Sequence, residues 1–429
     1  MVSPHETDRA PDEVQSIRNR YARIRGMTEA LARPLDPEDA ALQSMPEASP
    51  TKWHLGHTSW FFEAFVLARL SDRFAPYDAR LFPLFNSYYE SMGPKHPRDR
   101  RGLLSRPSLA EVLAYRHFVD ERMEELFAWL EATRDRQPFL DLVRLGLEHE
   151  QQHQELLLTD ILHLFSLNPL EPAYRSAEHP PTSERRAPAL RWHSHPEGEF
   201  EVGHRDDDFA YDNERPAHRV FLQAFDIASR LVTNGEYLAF VEDGGYERPE
   251  LWLADGFTLA SSRSWRAPLY WRERNGQWMS FGLHGLQPLD LEAPVTHLSF
   301  YEADAFARWY GARLPTEQEW ERAASELPIA GNFLESGRLS PSVATETTKP
   351  SQLFGDAWEW TQSPYVPYPG FRPLPGSLGE YNGKFMCNQM VLRGGSCLTP
   401  EGHVRPSYRN YFPPSARWQM TGIRLARSS

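Results

Sequence analysis

The sequence has few cysteines and no excess of positive charge, and each absence excludes a class of protein. Only Cys387 and Cys397 occur among 429 residues, which is too few for a disulfide framework in a protein of this size. Lys and Arg number 46 against 59 Asp and Glu, so the net charge is −13. That balance argues against a general surface for nucleic acid or anionic membranes. The two cysteines are interpreted as ordinary structural thiols.

Long hydrophobic runs are also lacking. No stretch approaches the roughly 20 apolar residues of a transmembrane helix. The segment Met1–Asp12 is polar and acidic, without the apolar core of a signal peptide. We therefore expect a cytoplasmic protein. With sixteen histidines and two cysteines, any metal site is expected to be built from histidine.

Residues 1–167 have the periodicity of a helical bundle. Apolar positions at three- and four-residue steps predict helices at Val14–Leu31, at Trp53–Leu70, over about 25 residues after the cap Ser108, and at Phe139–Leu167. Ser49 or Thr51 is expected to cap the second helix, with Pro50 in its first turn. Residues 71–107 are predicted to form a loop. Four helices with one longer crossover predict a bundle whose core can hold a metal.

The composition changes after residue 167. Residues 168–190 are rich in proline and charge and are predicted to be a linker. Residues 191–429 are predicted to form a second domain of mixed α and β structure. Its clearest elements are expected at Arg219–Leu222 and Val391–Arg393 as strands, and at Tyr301–Tyr310 and Thr316–Ala324 as helices. The predicted fold class is therefore a two-domain protein, helical first and mixed second.

Two histidines distinguish the fourth predicted helix. His149 and His153 are four residues apart, which on a helix places both imidazoles on one face, about 6 Å apart. Two histidines alone are a poor metal site. A third histidine from a facing helix would complete one face of the metal and leave its other coordination positions open. His54 and His57 are the candidates. The aromatic residues one turn later favour His57 as the ligand, with a structural role for His54.

Three neutral histidines without an obligatory carboxylate suit two metals. Zinc would activate a water for hydrolysis, and ferrous iron would leave positions for O2 and a substrate, although the usual iron triad includes a carboxylate. The spacing does not choose between them. Tyr88 and Tyr89 follow in a polar loop. Beside a redox metal they would supply a proton or hydrogen atom to oxygen, and packing over the bundle is an equally good interpretation.

The motifs taken together resemble one family. In the first part they are Trp53-His-Leu-Gly-His57, Asn86-Ser-Tyr-Tyr89 and His149-Glu-Gln-Gln-His153. In the second they are Phe200-Glu-Val-Gly203, Asn213-Glu-Arg-Pro216, Leu231-Val-Thr-Asn-Gly-Glu-Tyr237, Ala312-Arg-Leu-Pro-Thr-Glu-Gln-Glu-Trp320, Gly355-Asp-Ala-Trp-Glu-Trp360, Leu392-Arg-Gly-Gly-Ser396 and Gly422-Ile-Arg424. Their types and order resemble the ergothioneine-biosynthesis sulfoxide synthases, or hercynine oxygenases. The resemblance implies a DinB-like four-helix bundle and a domain like formylglycine-generating enzymes, with a C-type-lectin-like fold.

The resemblance also implies a reaction. Fe2+ is expected on His57, His149 and His153. The substrates are expected to be O2, cysteine, which binds through its thiol, and hercynine, the trimethylated betaine of histidine. The product is expected to be hercynylcysteine sulfoxide, with one new C–S bond and one new S–O bond. No nucleic acid and no membrane is implied.

Substrate contacts follow from the same resemblance. Gln152 is expected to face hercynine, and Asn410 and Tyr411 to reach it from the second domain. The amide suits a carboxylate, and the aromatic face suits a quaternary ammonium. Packing remains an equally good interpretation of Tyr411. The resemblance leaves the anchor of the cysteine carboxylate open. Arg98 or Arg101 of the basic loop is the candidate, and a solvated loop arginine is the alternative interpretation.

The chain departs from the mycobacterial branch of that family, which uses γ-glutamylcysteine. Phe412, expected beside the substrate, and Ala416 stand where that branch has an acid and an arginine. Tyr381 matches the catalytic tyrosine of that branch only loosely. The pair Tyr88-Tyr89 instead resembles a branch in which tyrosines of the first domain face the oxygen site. Free cysteine is therefore predicted as the sulfur donor.

Three other interpretations stay open. A zinc-dependent thiol transferase or hydrolase would use the same three histidines. A lectin-like binding module fused to a structural bundle would bind its ligand without them. A histidine-accepting synthase of the ovothiol type would couple at a different ring carbon, and such chains usually carry an added methyltransferase domain.

Overall fold

The computed structural model describes residues 10–176, 185–345 and 348–428. The chain divides into two units, Met1–Leu167 and Asn168–Ser429. Residues 177–184 of the predicted linker lie outside the described residues. Glu171, near the start of that segment, forms ion pairs with Arg272 and Arg274 of the second unit. No described helix is both long and apolar enough to cross a membrane.

From residue 10 onward, the first unit contains four long helices and one single-turn helix. Their bounds are α1 Ala10–Ala32, α2 Thr51–Phe61, the single-turn α3 Phe82–Phe85, α4 Leu109–Glu131 and α5 Gln137–Ser166. Helix α1 packs against α4 and α5, and α2 packs against the same two helices. The predicted four-helix bundle is confirmed.

Helix α2 differs from its prediction at both ends. Pro50 is the N-cap residue and no side chain caps the helix, so the predicted capping by Ser49 or Thr51 is wrong. The backbone N–H of Ser49 instead donates to Asp160 of α5 at 2.8 Å. The regular helix ends at Phe61 rather than at Leu70, because the chain then widens into a π turn. Phe61 and Phe62, on the two sides of this junction, are both fully buried.

The crossover between α2 and α4 is more ordered than the predicted loop. Besides α3 it contains short 3-10 turns at Leu67–Arg73, Ala79–Leu81, Glu90–Met92 and Arg98–Leu103. Ser108 caps α4 as predicted. Its hydroxyl accepts the N–H of Glu111 at 3.2 Å, and the Glu111 carboxylate accepts the N–H of Ser108 at 2.7 Å. This reciprocal capping box ends the crossover at a fixed point.

A buried group of charges, here called the Glu150 cluster, joins α1, α4 and α5. The Glu150 carboxylate accepts hydrogen bonds from Arg116 at 2.5 Å, Thr28 at 2.7 Å and Arg25 at 3.1 Å. Burial disfavours the charged carboxylate, but the two guanidinium groups outweigh burial and lower the pKa of Glu150 to about 2. Because Glu150 follows His149 directly, the cluster fixes the turn of α5 that carries the histidines.

The second unit is mixed α and β, as predicted. Its strands are β1 Trp192–His195, β2 Gly198–Val202, β3 His218–Leu222, β4 Phe225–Ala228, β5 Trp271–Arg274, β6 Gln277–Gly282, β7 Gly285–Pro288, β8 Trp358–Pro364, β9 Met390–Arg393, β10 Asn410–Phe412, β11 Thr421–Gly422 and β12 Ala426–Ser428. Its helices are α6 Asn234–Glu242, α7 Ala254–Ser262, α8 Phe300–Trp309 and α9 Glu317–Ala324. The strands form sheets in the orders β1-β4-β12, β10-β9-β8-β11, β2-β3 and β5-β6-β7.

Four elements of this unit were predicted and are confirmed, namely strands β3 and β9 and helices α8 and α9. The sequence reasoning missed α6 and α7, which are short and contain glycine. One signal for α6 was present, since Thr233 and Glu236 form a capping box at its start. The same device begins α8 and α9.

Charged residues of the second-domain motifs form internal ion pairs. Glu317 accepts hydrogen bonds from Arg409 at 2.8 Å and from Arg393 at 2.9 Å. Glu359 accepts from Arg424 at 2.8 Å. All five side chains are buried. These motif residues therefore hold β8, β9 and α9 together, and β10 follows directly from Arg409.

Gly56 is expected to be required for the packing of α2. A Cβ at this position would lie 2.2 Å from the ring of Phe85, which is 2% exposed. The carbonyl of Phe85 also accepts a hydrogen bond from His57, so the ring cannot move without disturbing that bond. Gly56→Ala is expected to lower the free energy of unfolding by about 1–3 kcal/mol.

The matched control for this substitution is Gly26→Ala in α1. A Cβ at Gly26 meets nothing within 4 Å, so alanine is expected to raise the free energy of unfolding by up to about 1 kcal/mol. Urea denaturation of both variants measures the difference. Equal effects of the two substitutions would contradict the packing role of Gly56.

Candidate metal centre

Three histidines from two helices meet in the core of the bundle. His57 of α2 and His149 and His153 of α5 each offer one ring nitrogen, and these nitrogens lie within 4.8 Å of one another. Their side chains are buried, with exposed fractions of 0%, 2% and 9%. Within the described ranges, this is the one group of three or more such side chains that could hold a metal.

Hydrogen bonds indicate which ring nitrogens face the centre. His57 Nδ1 lies 2.6 Å from the carbonyl oxygen of Phe85 and donates to it. His57 Nε2 lies 3.2 Å from Nε2 of His149. In His153, Nδ1 is engaged with His54 at 2.8 Å, which leaves Nε2 for a ligand. Two nitrogens each about 2.1 Å from one ion and at right angles lie about 3 Å apart, so the observed spacing fits shared coordination.

Aromatic rings surround the three histidines. Trp53 stacks on His57 with ring centroids 4.5 Å apart, and Trp60 stacks on the same imidazole at 5.6 Å. Phe61 packs on His149 at 4.6 Å. These large rings exclude water from the ligands and restrict the imidazole orientations.

Burial keeps the three imidazoles neutral. It lowers the pKa of His57 and His153 well below the usual value, and the neighbouring imidazoles lower both further. Burial also lowers the pKa of His149 to about 3. A neutral imidazole is the form that binds a metal ion, so the residues present fit a metal such as zinc or ferrous iron.

His54 lies behind the group rather than in it. Its Nδ1 is 2.8 Å from His153 Nδ1 and its Nε2 is 3.1 Å from Asp160 Oδ2. Sequence reasoning missed Asp160, although it follows His153 by seven residues and therefore lies on the same face of α5. His163 of α5 lies apart from the group, with Nδ1 2.7 Å from the hydroxyl of Ser44.

The predicted tyrosines lie in the crossover and contact the aromatic layer. Tyr89 is fully buried, with its ring 5.0 Å from Phe65 and 5.7 Å from Trp60. Tyr88 is half-buried, with its ring 4.8 Å from Tyr89. The pair thus connects to the histidines through Trp60.

The two candidate arginines, Arg98 and Arg101, differ in burial and in their contacts. Arg98 is exposed and donates to the carbonyl of Glu47. Arg101 is 3% exposed, and its guanidinium carbon lies 3.3 Å from the ring centroid of Trp53. It donates to the hydroxyls of Ser49 at 2.8 Å and Ser87 at 3.2 Å. In the described part of the chain no carboxylate lies within ion-pair distance of Arg101. Burial, followed by the charge of Arg98, lowers the pKa of Arg101 to about 8.

The remaining predicted substrate residues are half-buried. Gln152 lies on α5 beside His153. Asn410, Tyr411 and Phe412 form β10 of the second unit. Tyr411 stacks on Tyr365 with centroids 4.0 Å apart, which shows that one face of Tyr411 has a packing role.

Three further predicted positions are in the second unit. Tyr381 is buried and stacks on Tyr211 at 5.5 Å. Cys397 is buried, Cys387 is exposed, and neither forms a disulfide. The interpretation of both as thiols is confirmed.

Comparison with known families first defines the class. Residues 20–157 match the DinB superfamily, and residues 178–348 and 350–429 match the sulfatase-modifying factor enzyme 1-like domain. The chain is therefore a DinB-type bundle followed by a domain of that second kind. This confirms the predicted fold class.

Relatives along the whole chain define the family. The chain is 32% identical to the hercynine oxygenase of Mycolicibacterium thermoresistibile, over 99% of this chain and 96% of that protein. It is 32% identical to the hercynine oxygenase of Mycobacterium tuberculosis, over 94% and 97% respectively. Ergothioneine biosynthesis protein 1 of Schizosaccharomyces pombe is 28% identical over 51% of this chain and 28% of that protein. The chain belongs to the hercynine oxygenase family and is an oxygenase.

The metal-free protein is expected to lose stability as the pH falls below about 6.5. The folded state lowers the pKa of His57, His149 and His153, so below the usual value the unfolded state binds more protons and stability rises with pH. Each imidazole is expected to lower the free energy of unfolding by about 1.4 kcal/mol for every pH unit below 6.5. For His149 this loss extends down to a pH of about 3.

Urea denaturation between pH 7 and pH 5 measures this slope. His149→Leu is expected to reduce it by at most about a quarter, since His149 is one of at least four buried imidazoles with a lowered pKa, the fourth being His297. His117→Gln is the control, because the side chain of His117 is 63% exposed. If both variants retain the slope of the native sequence, His149 does not contribute to the pH dependence of stability.

Proposed function

We propose that the protein is an Fe2+- and O2-dependent sulfoxide synthase of ergothioneine biosynthesis. It joins the sulfur of cysteine to the imidazole carbon between the two ring nitrogens of hercynine, giving hercynylcysteine sulfoxide. One observation carries the proposal. Three buried, neutral histidines meet in the core of a helical bundle, in a chain that matches hercynine oxygenases over almost its whole length.

Iron is proposed over zinc because the reaction is a redox reaction. When bound, ferrous iron would supply electron transfer with O2, which zinc cannot do. Three ligands on one face leave the opposite positions for small molecules. His57, His149 and His153 would hold the ion through Nε2.

The electron count explains why no reducing cofactor is proposed. Forming the C–S bond removes two electrons and two hydrogens from the substrates, and oxidising the sulfur to the sulfoxide removes two electrons more. O2 accepts four electrons. One oxygen atom enters the sulfoxide, and the other leaves as water with the two hydrogens.

Arg101 is proposed to anchor the carboxylate of cysteine. Its guanidinium is buried, stacks on Trp53, and lies close enough to His57 and His153 to lower the pKa of both. A buried cation without an ion-pair partner is costly, and a substrate carboxylate would compensate it. Arg98 is the weaker candidate because it is exposed.

The two tyrosines are proposed as the source of a proton for the reacting oxygen. Tyr89 packs on Trp60, which in turn stacks on His57. Tyr88 packs on Tyr89 and is half-buried, so it is the more exposed residue of the two. Either hydroxyl is a donor at neutral pH.

Gln152, Asn410, Tyr411 and Phe412 are proposed to bind hercynine. The amide N–H groups would donate hydrogen bonds to its carboxylate, and an amide N–H or carbonyl oxygen would pair with its imidazole. Tyr365 covers one face of the Tyr411 ring, so a quaternary ammonium would have to use the opposite face, with a gain of about 1–2 kcal/mol when desolvated.

The central experiment measures O2 uptake by the protein reconstituted with Fe2+ under anaerobic conditions. Cysteine and hercynine are supplied together and then singly, with product masses read in parallel. We expect uptake to require both substrates and to yield one sulfoxide per O2, with cysteine preferred over γ-glutamylcysteine. Uptake with cysteine alone, giving a sulfinate, or no uptake with tightly held zinc, would contradict the proposal.

Arg101→Leu tests the carboxylate anchor. Loss of a charge-assisted hydrogen bond worth about 1.5–3 kcal/mol is expected to raise KM for cysteine about 10–100-fold, with a smaller effect on kcat and with metal content unchanged. Arg98→Leu is the matched control and is expected to change KM less than about twofold, because its side chain is exposed. Equal KM values for the two variants would rule out the assigned role.

A further inference from the structure

We propose that Asp160 and His54 form a hydrogen-bonded chain that fixes the proton position and ring orientation of His153. The two residues would then be positioning residues for the metal centre. The inference rests on the proposed metal site and assigns function to two side chains that do not touch the ion.

The three side chains are connected in a single line. Asp160 Oδ2 lies 3.1 Å from His54 Nε2, and His54 Nδ1 lies 2.8 Å from His153 Nδ1. The exposed fractions of Asp160, His54 and His153 are 7%, 2% and 9%. Both distances are within hydrogen-bond range, and water has little access to replace either bond.

With Asp160 ionised and His54 neutral, the two hydrogen bonds allow one arrangement of protons. An ionised carboxylate can only accept, so His54 Nε2 carries a proton and donates it to Asp160. A neutral His54 then has its lone pair on Nδ1. His153 must donate to that lone pair from Nδ1, which leaves the lone pair of His153 on Nε2. That nitrogen is the one proposed to bind the metal.

Asp160 lies on α5 and is also hydrogen-bonded to the residue just before the N-cap of α2. Its Oδ2 also accepts the backbone N–H of Ser49 at 2.8 Å, just before α2 begins. In the described chain Oδ1 makes no hydrogen bond, and His54 is the one ion-pair partner of Asp160. Burying a carboxylate is costly unless it is hydrogen-bonded, so the bonds from Ser49 and His54 are the contacts that hold Asp160 in place.

The periodicity of α2 and α5 brings the three hydrogen-bonded side chains together. His149 and Asp160 are eleven positions apart on α5, which is about three turns, so they lie with His153 on one face of the helix. His54 and His57 are three residues apart on α2 and face α5 at successive levels. One helix pair therefore supplies both the ligands and the support.

A role for His54 as a fourth ligand fits less well. Both of its ring nitrogens are already engaged, and binding an ion would break one of the two hydrogen bonds. The contrast with His57 is informative, because His57 Nδ1 donates to a backbone carbonyl. The outer partner of His153, unlike that of His57, is a side chain and can therefore be altered by substitution.

The test compares His54→Leu with His54→Asn. Leucine fills the volume but accepts no hydrogen bond, whereas the amide oxygen of asparagine can occupy the position of the imidazole Nδ1 and accept from His153. Co2+ serves as the probe, with its dissociation constant measured by chelator competition. We expect about 10–100-fold weaker binding in His54→Leu and recovery of most of that loss in His54→Asn. A purely packing role predicts the reverse order.

A second readout is the proton position in the metal-free protein. In 15N-histidine spectra, His153 is expected to carry its proton on Nδ1 in the native sequence and in His54→Asn, and to show a mixture of tautomers in His54→Leu. If His54→Leu fails to fold, Asp160→Ala and Asp160→Asn replace the pair, with weaker binding expected for alanine only. His163→Gln is the control on α5, since its partner is Ser44.

The outcomes separate the two proposals. Failure of the native protein to bind Co2+ at the three histidines would overturn the metal site itself. Native binding with unchanged affinity and tautomer in His54→Leu would overturn only the positioning role. Weak binding that asparagine does not restore would also overturn it.

Discussion

The buried carboxylate of Glu150 is the contact on which the metal centre depends. It accepts hydrogen bonds from α1 and α4 while lying on α5, one residue after His149. Removing one partner of such a buried pair typically costs about 3–5 kcal/mol, because a charge is left uncompensated. The cluster therefore sets the rotation and height of α5 against its neighbours, and with them the direction of both α5 histidines.

Burial of the three imidazoles determines their charge, and their hydrogen bonds determine their orientation. Aromatic rings of α2 keep water away from the imidazoles, so the rings are neutral and able to bind a metal. Neutral rings must still be oriented. His57 is oriented by a carbonyl of the crossover, and His153 by a side-chain pair from α2 and α5. Arg101 brings a positive charge to the same region from the crossover. The crossover is thus part of the site rather than a mere connection.

The sequence predicted the long helices and the three histidines, because both depend on local periodicity. It also carried the motifs that resemble the hercynine oxygenases. It failed where packing overrides local preference, as at the uncapped start of α2, the π turn after Phe61 and the short helices α6 and α7. The pairing of His54 with Asp160 joins residues 106 positions apart. No local pattern encodes such a contact, which exists only after α2 and α5 have packed.

A crystal structure of the Fe2+ or Co2+ complex with anomalous scattering tests the proposed ligand set of the metal most directly. The predicted result is one ion in the helical bundle, about 2.1 Å from Nε2 of His57, His149 and His153, with His54 still between His153 and Asp160. An ion bound by His54, by Nδ1 of His153, or at a site in the second unit would contradict it.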